Sequence, residues 1–137
     1  MENQQVKMLS YIKNAGETQF EKSVYLGEEL NLKSFTQRTF KFESKDGMRI
    51  VRVDYNEYLR IKESYQNLKL DIMFPSVDEI GSIKYSQEIN GQEYGSMFQA
   101  KLIDFKQSKE EIFIHYLVLD DLFNTLLESK IFLKMGE

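Results

Sequence analysis

The 137-residue chain has no cysteine, no tryptophan, one proline and one histidine. Without cysteine there is no disulfide, no thiolate nucleophile and no Cys-ligated zinc. That composition fits a reducing compartment. A Ser-His-Asp site would have to use His115, and no G-x-S-x-G elbow accompanies it. His115 lies mid-strand in IFIHYLV, on the face opposite Ile112, Ile114 and Tyr116. It therefore reads as a structural or surface histidine. No run approaches the roughly 18–20 apolar residues of a spanning helix. The opening MENQQVKMLSYIKNAG lacks the apolar core of a signal peptide. No membrane span and a cytoplasmic location are expected. The glycines at 91 and 95 flank NGQEYG, but a strand follows, so this is a hairpin rather than a phosphate-cradling loop. Adjacent acids such as Glu28-Glu29 and Glu110-Glu111 point to opposite faces of a strand and make no acid/base pair. No metal or cofactor is expected, and the chain reads as non-enzymatic.

Basic residues are outnumbered. The net charge is −4, and nucleic acid binding, which needs clustered Lys and Arg, is not expected. What the chain does have is 42% apolar and 29% charged residues, with 10 Phe and 8 Tyr. This is the make-up of one globular domain over residues 1–137, with aromatic rings supplying much of the core.

Periodicity then predicts the elements. Val6, Leu9 and Ile12 predict a short amphipathic helix over 3–14. Residues 17–33 read as strand plus loop. SFTQRTFKFES (34–44) and MRIVRVDY (48–55) form a hairpin about Lys45-Asp46-Gly47. Residues 56–68 fit both a helical stripe and a strand. LKLDIMF (68–74) is a strand ended by Pro75, and EIGSIKYSQEI (79–89) is another. MFQAKLIDF (97–105) and EIFIHYLVL (111–119) form a second hairpin. Asp120 or Asp121 then suits an N-cap, and Leu122, Phe123, Leu126, Leu127 and Ile131 recur at helical spacing up to Gly136. The expected class is α+β: a mostly antiparallel sheet or small barrel of about six strands, with a short N-terminal helix and a C-terminal amphipathic helix.

The candidate ligand-binding residues are cations of the first hairpin, Arg38, Lys41, Arg49 and Arg52. Two paired strands could bring them together around a phosphate group.

The run FIHYLVLDDLFNTLLESKIF (113–132) resembles the end of a PilZ domain, in which an apolar strand, an acidic break and an amphipathic helix close a small barrel. The family binds cyclic di-GMP through R-x-x-x-R and a later D/N-x-S-x-x-G. In SFTQR, Ser34 stands in the place of the first arginine and Arg38 in that of the second. Asn90 to Gly95 carries Gln92 in the serine place. The resemblance thus implies a degenerate regulatory or adaptor module that contacts another protein, with cyclic di-GMP binding weak or absent. The chain is also similar to dimeric type III secretion chaperones in size and acidity. A phage- or plasmid-encoded inhibitor protein is a third class.

Overall fold

The computed structural model describes residues 4–30, 37–44, 47–55, 59–65, 67–75 and 79–136. Among them, every regular element is a strand: β1 Gln4–Asn14, β2 Glu21–Leu30, β3 Gln37–Ser44, β4 Gly47–Tyr55, β5 Leu59–Tyr65, β6 Leu68–Phe74, β7 Ile80–Ile89, β8 Gln92–Gln107, β9 Glu111–Leu119 and β10 Thr125–Met135. Each pairs antiparallel with its sequence neighbour, and β1 pairs with β10 to close a barrel. Closure leaves no sheet edge unpaired.

This overturns the α+β expectation of about six strands with two helices. The N-terminal segment is a strand because Val6 and Met8 are buried while Gln5 and Lys7 are exposed, a period of two. The supposed C-terminal helix is a turn followed by β10. Its apolar set, Leu122, Phe123, Leu126, Leu127 and Ile131, fits a helix only if reading stops at Ile131. Continued to Leu133 and Met135, the inward series becomes Leu127, Ser129, Ile131, Leu133 and Met135, alternating with Glu128, Lys130, Phe132 and Lys134. Leu122 and Phe123 are among the exposed residues. Both misread segments pair with each other, so tertiary pairing between the two ends of the fold overrides their local pattern.

Asp120 caps a turn rather than a helix. Its Oδ1 accepts from the amides of Leu122 and Asn124, each at 2.9 Å. These bonds, led by that from Asn124, hold the carboxyl below the usual carboxylate range. The ambiguous stretch 56–68 contains a strand, β5; its first residues, 56–58, lie outside the described set. The NGQEYG turn is shorter than expected, since β8 begins at Gln92 and only Asn90 and Gly91 turn. Two further expectations hold: β3 and β4 pair as a hairpin, and β6 ends immediately before Pro75. Among the described residues no helix is long and apolar enough to cross a membrane.

The core is the barrel's interior. Phe40, Phe42, Val53, Phe74, Ile112 and Leu133 are fully buried there. The register shift between Leu102 and Asp104 inserts Ile103 and turns Phe105 onto the core.

Candidate site in the hollow end of the barrel

The interior is filled unequally. At the end carrying the 108–110 turn it is packed by Val6, Phe40, Val53, Leu59, Phe74 and Ile112. Arg38 helps close that end. Its guanidinium grips Glu29 with two bonds, Nε to Oε2 at 2.7 Å and Nη2 to Oε1 at 2.6 Å, and donates to the Ser108 carbonyl at 3.1 Å. A bidentate, largely buried pair of this kind is among the stronger ionic contacts.

Toward the other end, where the 90–91 and 120–124 turns lie, the side chains leave a cavity of about 290 Å³. Its walls are mostly aliphatic, with Met8, Ile61, Leu70, Ile72, Ile114 and Ile131 among them. Such a space lies at the lower margin of small-molecule sites, which run from about 300 Å³ upward.

A few polar groups enter this apolar lining: Ser10 from β1, Glu63 from β5, Tyr85 from β7, Tyr116 from β9 and Ser129 from β10. Tyr116 and Ser129 stand directly opposite each other in the β9–β10 pair and are hydrogen-bonded. Burial pushes the Tyr116 phenol up to about 12, outweighing the Ser129 bond that favours the phenolate, and the Glu63 charge pushes the same way. Tyr116 is therefore a neutral hydroxyl at physiological pH, able to donate or accept. The Tyr85 hydroxyl donates to Gln87 Oε1 at 2.8 Å.

The four cations expected at a phosphate site do not converge. Arg38 faces inward and is held by Glu29. Lys41, between buried Phe40 and Phe42, points outward and stands opposite Glu28. Arg52 also faces outward, with Nη2 3.3 Å from Asp54 Oδ2. Arg49 pairs along the backbone with Phe42 and Tyr65, and its side chain lies outside those described, as does Ser34. Period-two alternation already separates Arg38 and Lys41, an odd number of residues apart, onto opposite faces.

Of the polar groups that do converge, Tyr116 was legible only as sharing a face with Ile112 and Ile114, opposite His115. Glu63 lay in the stretch whose period was ambiguous. Ser129 lay in the segment read as helix, and in the alternation of β10 it is the polar residue at an inward position. His115 is on the outer wall, as expected, its neighbours Ile114 and Tyr116 being buried inside. The segment that carried the PilZ resemblance is β9, a turn and β10 rather than strand and helix.

No family model matches the chain, and no curated protein matches it. Among solved structures, the ywiB protein from Bacillus subtilis is similar, with a TM-score of 0.62 over 98% of this chain and 92% of that one. Sequence identity between the two is 14%, so the likeness is one of fold.

Proposed function

We propose that the chain is a non-catalytic binding protein whose barrel takes one compact, mainly apolar molecule at its hollow end. The observation that carries this reading is the 290 Å³ apolar cavity with a few inward polar groups, Tyr116 and Ser129 foremost. An apolar lining favours the body of such a ligand by removing it from water. The paired hydroxyls offer it one donor and one acceptor, and either left unmatched in the complex would cost affinity. The preferred ligand is therefore apolar with a single polar end.

A non-catalytic role is supported by the placement of the histidine. His115 lies on the outer wall, where it cannot serve Ser10 or Ser129 as a base. Cyclic di-GMP gains no support, because Arg38 is committed to Glu29 and Arg52 points away from it.

The test is titration with a neutral solvatochromic dye such as Nile red. One dye per chain is expected to bind with a blue shift. Ile131→Trp, which fills the cavity, should abolish binding while keeping the urea midpoint within reach of wild type. Equal dye binding by a folded Ile131→Trp protein would refute the reading.

A further inference from the structure

The strands that form part of the cavity wall carry a different chemistry on their outer side. Register aligns Arg52, Lys62, Asp71 and Lys84 in one row across β4, β5, β6 and β7. The adjacent row on the same face is Ile50, Ser64, Lys69 and Ser86. Together they line an open trough of about 410 Å³.

Four cations thus share a concavity with two hydroxyls, on a protein whose net charge is −4. Of the three acids that line the trough, Glu63 also lines the inner cavity, and Asp71 and Glu93 are already engaged. Asp71 holds Arg60 with bonds of 2.9 and 2.6 Å, and Glu93 accepts from Ser86. Lys62, Lys69 and Lys84 enter no ion pair among the described residues, although Lys62 and Lys84 are close enough to help depress the Asp71 carboxyl, which Arg60 chiefly holds down. Arg52 and Lys62 are directly opposite on neighbouring strands. Like charges so placed are destabilising. Arg52 is also ion-paired to Asp54 along its own strand, and the Arg52 Nε and Asp54 Oδ1 of that pair are both buried without a hydrogen-bond partner. A row that sets like charges side by side is poor for folding alone and well suited to an anion.

We propose that this outer trough binds a compact, multiply charged phosphate group, of the polyphosphate kind. Arg52, whose Nη2 lies 3.3 Å from Asp54 Oδ2, adds its positive charge at one end of the row, and the three lysines act as point charges beside it. Ser64 and Ser86 add hydroxyl donors. Neighbouring strands are about 4.8 Å apart, so the row from Lys62 to Lys84 spans about 10 Å, the scale of two or three linked phosphates. The cations of the trough lie on the opposite face of the wall from the cavity, and the two spaces share Glu63 and Leu70 in their lining.

Calorimetric titration of the full chain with inorganic tripolyphosphate, without divalent metal, tests this. Saturable one-to-one binding is expected, with Lys62→Gln/Lys84→Gln weakening it by about tenfold or more. Lys101→Gln/Lys134→Gln, at positions that do not line the trough, should leave it unchanged. Adenosine triphosphate run in parallel separates two sources. Equal affinity assigns recognition to the phosphates alone, and tighter binding adds a contact of the base with the trough wall at Ile50. Absence of saturable heat with both compounds would overturn the proposal. So would equal weakening by both double variants, or equal binding of sulfate at matched ionic strength.

Discussion

His115 Nε2 lies 2.7 Å from Glu128 Oε2, diagonally across β9 and β10 on the outer wall, and Lys13 Nζ approaches the other oxygen of the same carboxylate at 3.4 Å. The hydrogen bond from His115 is the main reason that the Glu128 carboxyl is held below its usual range, with Lys13 adding to it. A depressed carboxylate stabilises the fold above its ordinary range, and the benefit fades as pH falls through the lowered value. Glu128→Gln should therefore cost about 0.2–1 kcal/mol near neutral pH. The urea midpoints of variant and wild type should converge below the carboxylate range. A gap that persists unchanged in acid would show that the carboxylate charge is not the source. His115→Ala should leave dye binding in the cavity unaltered, because the imidazole is on the other face of the wall.

Tyr116 gives the opposite pH dependence. Its phenol is pushed up to about 12 by burial, so the fold favours the neutral form. That stabilisation is complete below the ordinary phenol range and is lost as pH rises toward the raised value. Wild type should lose stability in strong alkali more steeply than Tyr116→Phe. Parallel alkaline slopes for the two proteins would contradict the assignment.

The inward series of β10 sets up a contrast with the residues just before it. Leu133 is 0% exposed and Leu122 is 80% exposed. Leu133→Ala should cost about 2–5 kcal/mol, because a cavity opens in a closed interior. Leu122→Ala should stay within about 0.5 kcal/mol. A helix from 122 to 131 packed on a sheet would have made Leu122 the costly position, so chemical denaturation of the pair distinguishes the two architectures.

Gly27 stands between Val6 and Phe42 in adjoining strands. A Cβ there would come within 2.1 Å of the Lys41 carbonyl oxygen and 2.7 Å of the Phe42 ring. Backbone cannot yield as a flexible side chain can, so Gly27→Ala should destabilise by about 1–3 kcal/mol despite adding one methyl group. A neutral or stabilising result would mean that β2 and β3 are farther apart than described.

Much of the fold could be read locally, and the part that could not has a physical cause. β6 and β9 were legible because LKLDIMF and EIFIHYLVL combine strand-forming residues with clear stops at Pro75 and Asp120. The pairing of β3 with β4 was legible from the Asp-Gly signal in the sequence between them, of which Asp46 lies outside the described residues. β1 and β10 were not, because Leu9 and Ile12, or Leu122, Phe123 and Leu126, coincide with a helical stripe over a short window. What makes these segments strands is each other, through pairs such as Met8–Leu133 and Val6–Met135. The candidate cavity suffered from the same loss, since Ser129 sits on β10 and Glu63 on the stretch of undecided period. Charged residues were legible as types but not as sites: Arg38 looked available and is bound to Glu29, while Lys62, Lys69 and Lys84 become neighbours only once β5, β6 and β7 are in register.

Pairing of β1 with β10 also governs how the molecule assembles. Every other pairing joins strands consecutive in the chain, so the sheet can grow hairpin by hairpin at little loop-closure cost. Bringing Val6 to Met135 must come through closure of nearly the whole chain. Until that step, the growing ribbon has two bare edges, and the outermost carry Tyr11, Ile12, Ile131 and Phe132. Unpaired edges of this kind can dock on another molecule's ribbon as readily as on their own partner. Refolding should therefore be slow for the chain's size and give less monomer as protein concentration rises, with strand-exchanged dimers as the competing product.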